Sequence, residues 1–333
     1  MTILVTGGAG YVGSHAVAAL IARGERVVVL DNLQQGHREA VLPPAELVLG
    51  DLADGTLLDR LFRAHRFKAV MHFAAHSLVG ESMTRPLPYV GDNDANAVGL
   101  VRRMVDHGVA RIVLSSTCAI FGAPSQVPIA EDASIRPENP YGESKAMIER
   151  VLHWAEKAHG IRHAALRYFN AAGAHPDLPL GEDHAPETHL IPIALEVALG
   201  LRPHIEIFGD DWPTPDGTCV RDYVHVCDLA DAHLRALDAL DRGSRRYNLG
   251  TGRGHSVREV VDAVRRVTGA RVRVRIAPRR AGDPPALVAA PDLIRRELGW
   301  EPRYTELDAI VATAWAWRRA HPRGYVSRQL AAD

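Results

Sequence analysis

A strand-forming run, Thr2-Ile3-Leu4-Val5-Thr6, leads directly into Gly7-Gly8-Ala9-Gly10-Tyr11-Val12-Gly13, and a helix-compatible stretch follows. Glycines placed this way between a strand and a helix permit a tight turn. They also let the backbone approach a pyrophosphate at the helix N-terminus. A glycine triplet needs context to carry weight, and the next strand supplies it. Val27-Val28-Val29-Leu30 ends in Asp31, whose carboxylate can accept hydrogen bonds from an adenosine ribose and would repel a ribose phosphate. The loop is therefore expected to hold NAD rather than NADP, through Gly7, Gly10, Tyr11, Val12, Gly13 and Asp31.

The alternation continues through the first half. Apolar, β-branched runs at 3–6, 26–30, 46–49, 69–73, 111–115 and 163–167 are separated by helical stretches at 13–23, 56–64, 95–107 and 141–159. Runs that are apolar throughout suit strands covered on both faces, and their spacing calls for crossover helices. The expected class is α/β, a doubly wound parallel sheet of the Rossmann type with a smaller α/β substrate-binding lobe. Turn-rich sequence from about residue 175 marks a boundary. Residues 1–175 are expected to form the NAD-binding domain, with a return segment around 226–250, and residues 176–333 the second lobe. Helices are expected there at 191–200, 226–240, 256–268 and 292–298, and a strand at 272–276. Asp51 and Leu52, after the third strand, are placed to hold an adenine edge, and Phe73, Ala74 and Ala75, after the fourth, to floor the cofactor site.

With 333 residues the chain can bury a large core, and a formal net charge of −1 argues against nucleic acid or a membrane surface as the main partner. Cys118, Cys219 and Cys227 form no CxxC pair and read as free, mostly buried thiols of a reducing compartment. The chain opens on a strand, and no run approaches a membrane span, so a cytoplasmic location is expected.

Chemistry enters at Asn139-Pro140-Tyr141-Gly142-Glu143-Ser144-Lys145. Asn139 suits an N-cap and Pro140 the first helical position, which puts Tyr141 and Lys145 one turn apart on one face. A free phenol ionises near pH 10, and a neighbouring ammonium favours the phenolate. Near a nicotinamide, such a pair suits dehydrogenation of an alcohol.

Together with Asp31-Asn32-Leu33, Ser115-Ser116-Thr117, Arg167-Tyr168-Phe169-Asn170, Ile207-Phe208-Gly209, Val220-Arg221-Asp222-Tyr223, Tyr247-Asn248-Leu249-Gly250 and Arg279-Arg280-Ala281-Gly282-Asp283, these motifs give the chain an end-to-end resemblance. It resembles the extended short-chain dehydrogenase/reductase family, and within it the UDP-glucose (UDP-galactose) 4-epimerases. The resemblance implies a reaction at C4 of a UDP-hexose. Tyr141 would be the base, Lys145 would lower its pKa and bind the nicotinamide ribose, and Thr117 would bond the 4-oxygen. Asn32, Leu33 and Tyr168 would join the cofactor contacts. Substrate contacts would come from Asn170, His189, Leu190, Phe208, Arg221, Tyr223, Arg280, Asp283 and Leu287, with Arg221 and Arg280 on the diphosphate. A homodimer built on 95–107 and 141–159 is also implied. Three positions depart from the family pattern: Asp92 for the first Asn of a pair, Ser77 for a lysine, and Leu287 between the large and small residues that exclude or admit N-acetyl sugars.

Alternative readings are a 4-epimerase of UDP-N-acetylhexosamine or UDP-glucuronate and, from another class, a non-catalytic NAD-sensing protein. The dehydratases of the fold carry an Asp-Glu pair after the Ser/Thr, where this chain has Cys118-Ala119. Asp183, His184, Glu187 and His189 have metal-ligand chemistry, but Pro186 and the short spacings suggest an irregular loop, and no metal is expected. His72 and His76 read as packing and supporting hydrogen bonds, and Trp315 and Trp317 as helix packing.

Overall fold

The computed structural model describes residues 2–280 and 282–325; Ala281 of the 279–283 motif and residues 326–333 of the expected second lobe lie outside the described residues. The first part of the chain runs β1 (Thr2–Thr6), α1 (Tyr11–Ala22), β2 (Arg26–Asp31), β3 (Glu46–Leu49), α2 (Gly55–Ala64), β4 (Ala69–His72), α3 (Val79–Thr84), α4 (Pro86–Asp106), β5 (Arg111–Thr117), α5 (Pro140–His159) and β6 (Arg162–Tyr168). It continues with β7 (Asn170–Ala172), α6 (Leu190–Ala198), β8 (Ile205–Phe208), β9 (Val220–His225), α7 (Val226–Ala239), β10 (Arg245–Leu249), β11 (Gly254–Ser256), α8 (Val257–Thr268), β12 (Val274–Ala277), β13 (Ala286–Leu287), α9 (Asp292–Leu298) and α10 (Leu307–Ala320).

Seven strands pair in the order β10-β6-β5-β4-β1-β2-β3, every pair parallel. The doubly wound parallel sheet expected from the alternation is present. Its central strands β1, β2 and β4 are largely apolar because both faces are covered. Ile3 and Val5 of β1 join α1 and α7 residues such as Val17, Leu20, Leu229 and Leu237. Leu4 points the other way, to Leu58, Leu100 and Leu152 from α2, α4 and α5. Strand order reverses at β1, with β2 on one side and β4 on the other. That reversal opens a crevice at the carboxyl ends of the strands, the standard ligand site of such sheets.

The second half contributes to both parts of the molecule. β10 pairs with β6 in the large sheet, with Tyr247 opposite Leu166, and α7 packs on α1. Shorter sheets form around β9, which pairs with β7, β11 and β13, and between β8 and β12. They cover a separate core that includes Ile191, Leu195, Tyr223, Val260, Val264 and Ile310.

Most expected elements lie within two residues of the observed ones, but α4 starts at Pro86 rather than 95. Proline at the first helical position tolerates the missing N–H, and the polar Asp92-Asn93-Asp94 run does not interrupt the turn. The sequence pattern does not mark β8, β9 and β10 as strands. Each is short and carries exposed or site-facing charges, so its apolar alternation is broken. Helix α10 shows in the sequence only as Trp315 and Trp317; Trp317 is buried against Leu180 and Tyr325, and Trp315 packs on the second core. Among the described residues no helix is long and apolar enough to cross a membrane.

Candidate active site

A cavity of about 1130 Å³ occupies the crevice. That exceeds the usual pocket for one small ligand and has room for two. Gly7, Gly10, Tyr11, Val12, Gly13, Asp31, Asn32, Asp51, Leu52, Phe73, Ala74, Ala75 and Tyr168 line it, as the cofactor reading expects. Thr117, Tyr141, Lys145, Asn170, His189, Leu190, Arg221, Tyr223, Arg280, Asp283 and Leu287 share its walls. Leu33 and Phe208 do not.

The glycine loop is a cradle closed to side chains. Gly7 has φ 73°, and a Cβ there would come within 2.4 Å of the Ala74 backbone nitrogen; one on Gly13 would meet the Gly7 carbonyl at 2.1 Å. Gly10 caps α1 without a side-chain hydrogen bond, so the first N–H groups of the helix have no capping side chain. Asp31 braces the loop from below, accepting from the Ala9 N–H and the Leu33 N–H, each at 2.9 Å. Burial raises the Asp31 carboxyl, and those two donors oppose the rise. The Asp31 bond to Leu33 holds that residue at φ 59°, turned out of the cavity lining. Asn32 donates to Asp51, both at the cavity wall, at 2.7 Å. Gly36 also lines the cavity and was missed; a Cβ there would crowd Ala9 at 2.9 Å and the Asp31 carboxylate at 3.0 Å. A cradle that a methyl group would fill, an uncapped helix start and a carboxylate at the end of β2 together fit NAD.

Helix α5 starts as its sequence suggests, with Asn139 accepting from the Gly142 N–H at 2.8 Å and Pro140 in the first turn. Tyr141 and Lys145 both face the cavity. The Lys145 ammonium donates to the Ser115 carbonyl of β5 at 2.9 Å, and the Ser115 hydroxyl meets the Tyr168 hydroxyl at 2.7 Å. Burial pulls Lys145 down to about 8, against the opposing charge of Asp94. Burial also pushes the Tyr141 phenol well above its ordinary value, Tyr168 adds to the rise, and the hydrogen bond with Thr117 lowers it. The ammonium is anchored on β5, and Thr117 is the influence that lowers the Tyr141 phenol. Behind the pair, Glu149 of α5 takes a two-pronged bond from Arg167 at 3.0 and 2.6 Å and one from Ser116 at 2.7 Å, all buried.

His72 takes the packing role expected of it. It meets the Thr6 hydroxyl at 2.7 Å, and burial drives its imidazole down to about 3. Asp92 pairs with His76 at 3.3 Å, while Asn93 exchanges hydrogen bonds with the His76 backbone and donates to Ser144 at 3.1 Å. Asn93 thus ties α4 to α5 beside the cavity; as the retained member of the family's Asn pair, it was the signal available. Ser77 also lines the cavity.

At the far end, Arg280 forks onto Asp283 at 3.0 Å through two nitrogens, and Arg221 reaches the same carboxylate at 3.7 Å. Phe208 sits under the Arg280 guanidinium, 5.7 Å from ring centre to the charge, outside the lining. Asp222, next to Arg221, is fully buried and accepts from the N–H groups of Thr251, Gly252 and Ala289 and from the Thr251 hydroxyl. It fixes the base on which Arg221 stands. Asn170 donates to the Asp222 carbonyl at 3.1 Å, and Leu287 packs with Cys118 and Phe169.

The 182–189 loop brings together a different set from the four residues singled out in the sequence. Asp183 does not join His184, Glu187 and His189: its buried carboxylate accepts from the Tyr325 N–H at 2.9 Å. Glu182 takes its place, and the four donor atoms of Glu182, His184, Glu187 and His189 lie within 4.8 Å of one another. Desolvation would lower both histidines, yet the Glu182 and Glu187 carboxylates raise His184 to about 9 and His189 to about 10.

Residues 3–250 match the model of the NAD dependent epimerase/dehydratase family. The UDP-glucose 4-epimerase of Halalkalibacterium halodurans is 51% identical, over 98% of both chains. A crystal structure of a UDP-glucose 4-epimerase superposes with a TM-score of 0.95 at 49% identity, covering 98% of this chain and 99% of that one. The UDP-glucose 4-epimerase from Brucella ovis, solved in complex with NAD, superposes with a TM-score of 0.91 at 45% identity over 95% and 97%. With its glycine cradle, its Tyr141/Lys145 helix and these full-length likenesses, the chain belongs to the NAD dependent epimerase/dehydratase family.

Proposed function

We propose that this chain interconverts UDP-glucose and UDP-galactose by inverting C4 of the hexose. The observation that carries the reading is the convergence of Thr117, Tyr141 and Lys145 with the glycine cradle and the Arg221, Arg280 and Asp283 group on one cavity. NAD, when bound, supplies the acceptor that takes the C4 hydride and gives it back to the opposite face of the sugar. Tyr141 as phenolate takes the proton of the 4-hydroxyl while C4 becomes a ketone, and returns it when C4 is reduced. Thr117, bonded to the phenol, holds the 4-oxygen and passes the proton. Lys145 supplies the cation that favours phenolate against its burial, from a position fixed by Ser115. Arg221 and Arg280 neutralise the diphosphate with forked donors, and Asp283 accepts from a ribose hydroxyl. Asn170, Tyr223, Leu190 and His189 bound the sugar, with Leu287 beside its 2-substituent.

The test is incubation of the purified protein with UDP-galactose and no added oxidant or reductant. UDP-glucose should accumulate to an equilibrium mixture with no net change in cofactor oxidation state. Folded, NAD-loaded protein that leaves UDP-galactose unchanged would overturn the reading. The same reading brings a homodimer through α4 and α5, which pack together and leave Leu87, Val98 and Trp154 exposed at 80%, 47% and 69%. It also brings a cytoplasmic location, which the three unpaired cysteines support.

A further inference from the structure

Glu182, His184, Glu187 and His189 fall within one short loop, and the proposed reaction uses no property of the four as a set. Their donor atoms lie close enough together to share one cation. Nδ1 of His189 lies 2.8 Å from Glu182 Oε1 and 3.2 Å from Glu187 Oε1; Nδ1 of His184 lies 3.4 Å from Glu182 Oε1 and 3.7 Å from Glu187 Oε2. Donors held at zinc bond lengths stand about 3.3 Å apart along the edges of a tetrahedron. Several of the observed separations lie near that value, and with one donor atom from each residue the four lie within 4.8 Å of one another before any ion has drawn them together.

A second observation is independent of this spacing. Nδ1 of His184 is buried and makes no hydrogen bond, although two carboxylates face it. A nitrogen so placed, facing two carboxylates and bonded to neither, can ligate a metal that displaces its proton. Glu187 is also oriented for ligation, since its Oε1 accepts from the Thr188 and His189 N–H groups at 2.8 and 2.9 Å, which leaves Oε2 toward His184. Supporting bonds of this kind fix the direction of ligating carboxylates. Two carboxylates and two neutral imidazoles around a divalent ion sum to no net charge, which suits a site with both Glu side chains buried.

We propose that Glu182, His184, Glu187 and His189 bind one divalent transition-metal ion of the zinc class. Two nitrogen and two oxygen donors select zinc-like ions over magnesium or calcium, which prefer oxygen alone. Four protein ligands complete a tetrahedral shell, so the ion is structural and leaves no position for substrate. What it secures is the approach to α6. The Asp183 and Ala185 carbonyls of this loop meet His37 and Gln35, beyond the end of β2, at 3.0 and 3.4 Å, and His189 stands at the cavity wall immediately before α6. An ion here ties the cofactor side of the cavity to the opposite wall. The proposal goes beyond the epimerase reading and does not depend on it.

The test uses untagged full-length protein, stripped with chelator and dialysed, then titrated with Zn²⁺ by calorimetry and with Co²⁺ by absorption spectroscopy. One ion per chain, the intense visible absorption of tetrahedral Co²⁺ and a melting temperature that rises with Zn²⁺ are expected. His184→Ala should weaken Zn²⁺ binding by at least about tenfold, the least that loss of even a supporting group costs a metal site. Glu187→Gln, which keeps the Oε1 acceptor and the shape of the loop, should do the same and guards against misfolding of the alanine variant. No stoichiometric binding at ~10 μM Zn²⁺, a range structural sites far exceed in affinity, or unchanged binding in both variants, would overturn the site and leave a proton-bridged ion cluster in its place.

Discussion

Tyr141 and Lys145 set opposite demands on their surroundings. Burial disfavours both charged forms, raising the phenol and bringing the ammonium down to about 8 from 10.5. The sign for Lys145 follows from linkage: between about 8 and 10.5 the unfolded chain holds the proton and the folded chain has lost it, so this residue makes stability rise with pH in that window. Activity should move the other way, because the cation that favours phenolate is lost above about 8. Melting curves of wild type and Lys145→Met across this range should diverge, wild type gaining on the variant as pH rises, while the wild-type kcat/KM falls; parallel curves would remove Lys145 from the account. Leu287 is the second residue-scale test. Its truncation opens space beside Cys118 and Phe169, and Leu287→Ala should raise kcat/KM for UDP-N-acetylglucosamine relative to UDP-glucose by ~10-fold, the scale of a few methylenes in a pocket.

The elements carry these residues only as well as they are tied together. Helix α5 is fixed to β5 and β6 by the buried Glu149, Arg167 and Ser116 group. Glu149→Gln keeps the shape and strands the Arg167 charge. It should cost about 3 kcal/mol, measurable by urea denaturation, since breaking a buried pair from one side is expensive. The β1–α1 turn has a different limit, because it is steric. Gly13→Ala sets a methyl group 2.1 Å from the Gly7 carbonyl. Overpacking of this kind costs about 1–3 kcal/mol, or roughly 5- to 150-fold in NAD affinity read by cofactor fluorescence or calorimetry. Such turns are legible in the sequence, because glycine spacing, Asn139 and Pro140 act over a few residues. Strands β8, β9 and β10 are not: some of their charges are exposed, and Arg221 and Asp222 face the cavity and a loop far away in sequence.

For the molecule as a whole, α4 and α5 present the apolar residues Leu87, Val98 and Trp154 outward. Light scattering behind size exclusion should give the mass of two chains, and Val98→Glu combined with Trp154→Glu should shift it toward one. A wild-type monomer at micromolar concentration would count against this face as the interface. The dimer interface would lie on α4 and α5, whereas the cavity opens at the carboxyl ends of the strands, so the separated chains should keep the cavity intact.

By itself the sequence determined the parallel α/β sheet, the glycine cradle and the Tyr141/Lys145 helix start, because each depends on periodicity or turn chemistry within a short segment. Only the tertiary structure decided how distant segments meet. It set the register by which β10, in the return segment expected around 226–250, pairs with β6, turned Leu33 and Phe208 out of the cavity, and anchored Lys145 on Ser115. It also sent Asp183 to Tyr325 while bringing Glu182 to the two histidines. Those outcomes rest on side-chain direction and long-range pairing, where a shift of one residue reverses which way a side chain points, and local pattern does not encode that choice.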